Sequence, residues 1–119
     1  ILFPNNQPLT LGNLWVNFQS KYEFNPIHNH NGVFSFILFL KIPFLSQDEL
    51  KQGPGVEANV NLAGHLQFLE IDQTENIAVD KTWEKTGLIF RSYFNHCVHP
   101  FYSSDDYRIT VSGNIYFKN

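Results

Sequence analysis

The sequence predicts an all-β protein of the sandwich or barrel type with one short helix. Short runs rich in Phe, Val and Ile recur along the 119 residues, and Gly, Pro, Asn and Asp separate them. Only one segment carries a helix pattern, and the last strand, at about residues 107–118, alternates cleanly between apolar and polar side chains. We expect seven or eight strands in a jelly roll, because that fold brings strands distant in sequence together around a pocket.

The first elements follow from proline positions and apolar runs. Residues 1–12 are expected to form an irregular lead-in, because the two prolines in this segment resist both a helix and a central strand. The first strand is predicted at 13–18. A second strand is predicted at 33–42, and because it is apolar on both faces we expect it to be central and well covered.

The middle of the chain holds the single helix pattern. Ser46 and Glu49 have the spacing of a capping box, which predicts a short helix over 47–52. Turn residues end this helix. Short strands are then predicted near 56–62, 65–71, 76–79 and 87–92.

Composition and charge exclude several classes of protein. The net charge is −3 with acids and bases interspersed, so the sequence lacks the basic face that a nucleic acid would need. The longest apolar run, at 33–40, is shorter than the ~20 residues that span a bilayer. No secretory signal is visible and Cys97 has no cysteine partner, so we expect a cytoplasmic protein. At 119 residues we expect a single domain, 1–119. Because the sequence contains no Met, we expect the natural N-terminus to lie outside it.

Three histidines carry the strongest functional pattern. His28 and His30 come just before the 33–42 strand, and His96 lies far away in the sequence. On a strand, side chains i and i+2 share one face, so His28 and His30 can hold one ion from one side while His96 closes the site. Three ligands on one face leave positions open for exogenous ligands, as in non-haem iron oxygenases. The alternative is an ordinary turn, because Asn and Gly surround the pair.

Other residues of chemical interest have structural interpretations. Periodicity alone would make the polar face of the last strand a solvent face; it carries Arg108, Thr110, Ser112 and Asn114. The residues interpreted as packed, hydrogen-bonded or solvated are His65, His99, Cys97, Trp15, Trp83, Asp105 and Asp106.

Three blocks of sequence together resemble the 2-oxoglutarate/Fe(II)-dependent oxygenase superfamily. The blocks are Asn25-Pro26-x-His28-x-His30-x-Gly32-x-Phe34-Ser35, Gly87-x-Ile89-Phe90-x-Ser92-x-x-x-His96-x-Val98-x-Pro100-Phe101 and Arg108-Ile109-Thr110-Val111-Ser112-x-Asn114. The resemblance covers about residues 13–118. It is greatest to the small phage and marine-bacterial branch of prolyl-4-hydroxylase-like 2-oxoglutarate oxygenases, which for a viral protein implies the host cytoplasm.

The resemblance implies a double-stranded β-helix, a cupin-like jelly-roll barrel, that binds Fe(II) through His28, His30 and His96. It implies that Arg108, twelve residues after His96, pairs with the remote carboxylate of the cosubstrate 2-oxoglutarate and that Thr110 assists. The implied activity is that of a dioxygenase, which hydroxylates a substrate while 2-oxoglutarate becomes succinate and CO2.

One residue departs from the family pattern. His30 stands where most of the superfamily has Asp or Glu, so a triad of three imidazoles has one negative charge fewer. As an alternative, Glu70 or Asp72 on a neighbouring strand supplies the acid. Two other functions stay open: a non-catalytic jelly-roll module that binds metal or another ligand, and a three-histidine cupin-type metalloenzyme that does not use 2-oxoglutarate.

The sequence leaves the substrate undefined among a peptide, a nucleotide and a small molecule. A homodimer through the apolar 33–42 strand is a further expectation. Four aromatic side chains are expected to wall a dry pocket: Phe34, Phe36, Phe90 and Phe94.

Overall fold

The computed structural model describes residues 6–119 and shows a jelly roll made of two four-stranded antiparallel sheets. The elements in chain order are β1 (Leu9–Gln19), β2 (Asn25–His28), β3 (Phe34–Lys41), α1 (Ser46–Glu49), β4 (Leu66–Glu70), β5 (Gln73–Ile77), a 3-10 turn (Lys81–Trp83), β6 (Gly87–Arg91), β7 (Asn95–Val98) and β8 (Arg108–Phe117). One sheet has the order β1-β8-β3-β6 and the other β2-β7-β4-β5. The predicted all-β fold with one short helix is confirmed.

The core lies between the two sheets. It consists of the buried side chains Phe39, Ile42, Phe44, Leu66, Val79 and Phe101. Trp83 packs against this cluster, as predicted. Because Phe39 comes from one sheet and Leu66 from the other, the cluster joins the sheets by burial of apolar surface, the dominant favourable term in folding.

Most predicted strands are present with shifted ends. The irregular lead-in predicted for 1–12 is too long, because β1 already begins at Leu9. Residues 1–5 of this predicted lead-in lie outside the described part of the chain. The strand predicted near 76–79 lies at 73–77, where β5 forms a hairpin with β4. The strand predicted near 56–62 is wrong. Successive turns occupy that segment, and the Asn61 side chain bonds to the backbone of Leu50 and Ala63, which offers the chain an alternative to a strand.

The predicted capping box does not form. The helix covers only 46–49, its N-cap is Leu45, and no side chain caps it. The Ser46 N–H donates instead to Asp80 Oδ2 at 2.9 Å. The Glu49 side chain is buried and accepts hydrogen bonds from the backbone of Tyr102 and Ser103, so this carboxylate anchors a distant loop.

Strand β3 is central, but one of its faces is partly exposed. Ser35 and Phe39 point inward and are buried, whereas Leu38 and Leu40 expose 44% and 52% of their surface. The expectation of a strand covered on both faces is therefore wrong for the described residues. The homodimer stays a prediction. No helix in residues 6–119 is long and apolar enough to cross a membrane.

The polar face of β8 points into the molecule. Arg108, Ser112 and Asn114 expose at most 7% of their surface, and Arg108, Thr110 and Ser112 line a cavity between the sheets. Periodicity alone would have assigned this face to solvent. The structure reverses that assignment, as the family resemblance implied, and makes β8 the strand that supplies polar groups to the interior.

Candidate active site

A cavity of about 350 Å³ opens between the two sheets. Its size lies within the usual range for small-molecule sites. Of the four aromatic residues predicted as walls, Phe36 and Phe90 line it, whereas Phe34 and Phe94 do not. Trp15, which was predicted to be core material, also lines this cavity.

The three histidines meet at one wall of this cavity. His28 at the end of β2 is the register partner of His96 on β7, and His30 follows two residues after His28. One ring nitrogen from each histidine lies within 4.8 Å of the other two, close enough for a single ion to reach all three.

The alternative acidic ligands are not part of this group. Glu70 Oε1 accepts the Asn95 backbone N–H at 3.0 Å, and Asp72 is exposed in the turn between β4 and β5. Among residues 6–119, the cluster that can hold a metal contains only histidines. The hypothesis that Glu70 or Asp72 supplies the acid is therefore wrong for this structure.

Backbone carbonyls fix the tautomers of two of the rings. His28 Nδ1 lies 2.7 Å from the Pro26 carbonyl oxygen, and His96 Nδ1 lies 2.9 Å from that of Phe94. A carbonyl oxygen only accepts hydrogen bonds, so both Nδ1 atoms carry the proton. The Nε2 atoms therefore keep their lone pairs, which is the usual way a protein orients histidine ligands.

Burial favours the neutral, metal-binding form of the His30 and His96 side chains. It lowers the pKa of His96 to about 4, and the neighbouring His28 and His30 add to this effect. Burial and then His28 lower the pKa of His30. His30 and His96 are thus neutral at neutral pH, and no proton has to leave them before a metal binds.

Aromatic side chains surround the histidines. Phe68 and Phe90 lie 5.6 Å and 5.0 Å from His96 between ring centroids, and Trp15 lies 5.5 Å from His30. Such an apolar shell limits the access of solvent to a metal site and lowers the local dielectric constant.

Arg108 lies buried at another part of the cavity wall. Its guanidinium lies over the rings of Phe44 and Phe101 at 5.6 Å and 5.4 Å. Burial lowers its pKa to about 10 although the charge of the buried Glu49 carboxylate acts to raise it, so Arg108 remains a cation at neutral pH. In the described part of the chain no carboxylate oxygen lies within 4.0 Å of it. A buried charge without an opposite charge in contact is costly, and an anionic ligand would reduce that cost.

Thr110 follows Arg108 on the same face of β8. Its hydroxyl oxygen accepts a hydrogen bond of 3.4 Å from Asn17 Nδ2, and both residues line the cavity. Arg108 and Thr110 therefore both contribute to the wall of one cavity, and a guanidinium and a hydroxyl can each donate a hydrogen bond to a carboxylate.

Residues predicted to be structural take structural positions. His65 bonds to the Ala63 carbonyl through Nδ1. Cys97 is buried, and the Gln67 side-chain oxygen accepts hydrogen bonds from Cys97 Sγ at 3.5 Å and His99 Nε2 at 2.9 Å. Asp105 and Asp106 do not form a dyad, since they pair separately with Lys21 and Lys41.

Two groups of residues at this site were not predicted from the sequence. One is Gln19, which bonds to Arg108. The other is a buried network in which Ser35 Oγ lies 2.9 Å from Ser92 Oγ and 2.8 Å from Asn114 Oδ1. The Ser92 carbonyl accepts the His30 N–H at 2.8 Å, so the network anchors the backbone of a metal-ligand candidate. Ser35, Ser92 and Asn114 all belong to the sequence blocks that resemble the oxygenase superfamily, and this was the signal in the sequence that could have identified them.

The fold and the site define a class of protein: jelly rolls in which three clustered histidines and a buried arginine line one cavity. The chain belongs to the family described as "Putative 2OG-Fe(II) oxygenase", whose family model matches residues 13–114. The resemblance seen in the sequence is thereby confirmed at the level of the family; the phage and marine-bacterial branch stays a prediction.

Among solved structures, the chain is similar to an oxidoreductase of the 2OG-Fe(II) oxygenase family from Burkholderia pseudomallei. The TM-score is 0.70 at 13% sequence identity, and the match covers 97% of this chain and 48% of that one. The chain thus spans about half the length of that protein, and at this identity the likeness supports the fold alone. A comparison with curated proteins found no match.

Proposed function

We propose that this chain is an Fe(II)- and 2-oxoglutarate-dependent dioxygenase that hydroxylates a substrate still to be identified. One observation carries the proposal: three clustered histidines share a cavity with a buried arginine that has no carboxylate in contact. Family membership supports an oxygenase. The finer assignments, to a metal, a cosubstrate and individual residues, rest on the geometry of the cavity.

The three histidines would hold the metal. Imidazole suits iron, zinc, nickel and copper, so the donor set fits Fe(II) and does not by itself select it. The bound metal and the cosubstrate would supply the oxidative chemistry. The residues of this chain would fix the direction of the ligand lone pairs, through His28 and His96, and exclude water, through Phe68, Phe90 and Trp15.

Arg108 and Thr110 would bind the remote carboxylate of 2-oxoglutarate. A guanidinium can donate two parallel hydrogen bonds to a carboxylate, which fixes both the position and the direction of the bound acid. The carboxylate would also neutralise a cation that the fold has already removed from water. The three histidines line the same cavity as Arg108.

A second candidate function is a three-histidine metalloenzyme that does not use 2-oxoglutarate. His30 favours it, because this residue replaces the acid of the usual triad. The guanidinium of Arg108 favours it too, because protein oxygens already accept hydrogen bonds from all three of its nitrogens. A non-catalytic binding module would have the same features.

The test is an anaerobic titration of the Fe(II)-loaded protein with 2-oxoglutarate, followed by its visible charge-transfer absorption, and then a succinate assay under O2. We expect the absorption band in the wild type. Arg108→Met should weaken 2-oxoglutarate binding by about 30-fold or more, the loss expected when one partner of a buried charged pair is removed. Its affinity for the metal alone should be unchanged.

Arg91→Met is the matched control, since Arg91 lies on β6, bonds to Tyr93 Oη and does not line the cavity. It should keep the absorption band. Metal binding without any such band in the wild type would contradict the proposal and favour the second candidate. A band that Arg108→Met leaves unchanged would remove Arg108 from the site.

A further inference from the structure

The guanidinium of Arg108 has two edges that can each grip a carboxylate, and both are covered in this structure. Along one edge, Nε and Nη2 donate to Gln19 Oε1 at 2.9 Å and 2.7 Å. Along the other, Nη1 donates to the Gly64 carbonyl at 2.7 Å and Nη2 to the His99 carbonyl at 3.1 Å. A carboxylate that binds with two parallel hydrogen bonds must therefore replace one set of partners.

The two sets of partners differ in how easily they can leave. Gly64 and His99 offer backbone carbonyls of loops that are tied to the fold: the Gly64 N–H donates to Pro100 O and the His99 N–H to His65 O, both at 2.8 Å. Gln19 offers a side chain, which can leave by changing its rotamer. Gln19 also lines the cavity, whereas Gly64 and His99 lie outside its wall.

The position of Gln19 is set by the sheet. Gln19 on β1 and Arg108 on β8 are direct register partners, so their side chains rise from the same face of the sheet. The Gln19 amide nitrogen also donates to the Glu23 carbonyl at 2.7 Å, which holds the amide with its oxygen towards the guanidinium. The amide oxygen thus occupies the place where an oxygen of an incoming carboxylate would lie.

We propose that the Gln19 amide oxygen occupies the Nε–Nη2 edge of Arg108 in the free protein. A dicarboxylate binds to this edge by displacing the Gln19 side chain. This inference rests on the proposed function, since it names 2-oxoglutarate as the displacing acid. The exchange replaces one neutral acceptor by a charged carboxylate that can take two parallel hydrogen bonds from the guanidinium, which adds both energy and geometric specificity. Gln19 thereby sets the affinity for the cosubstrate: whatever stabilises its contact with Arg108 weakens binding.

The test uses two substitutions of Gln19 with opposite expected effects. Gln19→Met keeps the length of the side chain and removes the amide oxygen, so 2-oxoglutarate should bind about 3- to 10-fold more tightly, the gain from one hydrogen-bonded contact that no longer has to break. Gln19→Glu supplies an internal carboxylate to Arg108, so binding should weaken by about 30-fold or more.

The readout is the dissociation constant of 2-oxoglutarate, measured by calorimetry on protein loaded with Mn(II) as a redox-inactive metal. Glutarate, which lacks the keto group, is a second probe of the arginine end alone. Gln73→Met and Gln73→Glu are matched controls, because Gln73 lies exposed on β5 and outside the cavity wall. The controls should bind as the wild type does. Circular dichroism verifies that each variant is folded.

The outcomes separate the two proposals. If the wild type binds 2-oxoglutarate but Gln19→Met binds it more weakly, Gln19 is a direct contact of the cosubstrate; the displacement inference is overturned and the proposed function survives. Equal binding by the wild type and Gln19→Glu overturns the inference in the same way. If Mn(II) binds but no variant binds 2-oxoglutarate, both proposals are overturned. Should Gln19→Met fail to fold, the result for Gln19→Glu still decides.

Discussion

His28 and His96 face each other as direct partners of the β2–β7 pair, with 4.2 Å between their ring centroids. Each of these rings is fixed through Nδ1 by the backbone carbonyl two residues before it in the chain. His30 differs from them: it lies just beyond β2, and its ring is placed by packing beside Trp15. The cluster thus has two ligand candidates whose rings are fixed by backbone carbonyls and a third at the position where this chain departs from the superfamily pattern.

Substitution of His30 should therefore change the metal preference without dismantling the site. His30→Asp introduces a hard, negatively charged oxygen ligand, so we expect binding to shift from Zn(II) and Ni(II) towards Fe(II) and Mn(II). His30→Ala should lower the affinity for all of them by about 10- to 100-fold or more, because one ligand is lost. Competition with a chelator of known affinity measures each constant.

Thermal unfolding gives an independent measure of the same substitutions. A metal that binds only the folded protein should stabilise the wild type by about 2.7 kcal/mol at a hundred times its dissociation constant. His65→Ala, which changes a histidine outside the cluster, should keep this stabilisation, and His30→Ala should lose about half of it or more. Equal stabilisation of all three proteins would mean that the metal binds elsewhere.

Local patterns of apolar and polar residues predicted a strand correctly where the pattern extended over enough residues. The apolar run of β3 and the alternation of β8 each extend over at least eight residues, and both strands form where expected. Strands β2 and β7 have only four residues each, too few to show alternation, and they are defined by pairing with each other. Alternation also does not tell which face of β8 is inside, and here the polar face is.

The site was accessible from the sequence only in part. The histidines and Arg108 could be singled out because their residue types and spacing resemble a family. Gln19 could not, since its importance comes from pairing with a residue 89 positions away. An ordinary glutamine near the end of a strand carries no local sign that its amide covers a buried guanidinium; only the register of β1 against β8 reveals this.

The buried network of Ser35, Ser92 and Asn114 should contribute measurably to stability. Asn114→Ala and Ser35→Ala should each lower the free energy of unfolding by about 1–3 kcal/mol, because each removes a hydrogen bond between buried polar groups. The double variant should lose less than the sum, since both substitutions break the same 2.8 Å contact. Urea unfolding of the four proteins of this cycle supplies the energies.

Asn59→Ala is the matched control for that network, because Asn59 is exposed in a turn. Its effect should stay within about 0.5 kcal/mol. Strictly additive losses for Ser35 and Asn114 would contradict a shared contact. Since the Ser92 carbonyl holds the His30 backbone, Asn114→Ala should also weaken metal binding, which the chelator competition detects.

Asp80 should make part of the stability depend on pH. Its carboxylate accepts hydrogen bonds from the backbone of Ser46 and from the backbone and hydroxyl of Thr82, and so links α1 to the 3-10 turn. Burial by itself would raise the pKa of Asp80, but these hydrogen bonds outweigh it and hold the pKa below its ordinary value of 3.8. The ionised form is therefore the one that stabilises the fold.

A group with a lowered pKa in the folded state contributes stability that is fully present above its unfolded pKa and is lost as the pH falls through its folded pKa. Asp80→Ala should therefore cost about 1 kcal/mol at neutral pH, the typical value of a lost cap. The difference from the wild type should shrink below about pH 4. Asp72→Ala, at an exposed turn, should show neither effect in urea unfolding across this range. A difference for Asp80→Ala that stays constant down to pH 2 would show that the carboxylate charge is not what stabilises this contact.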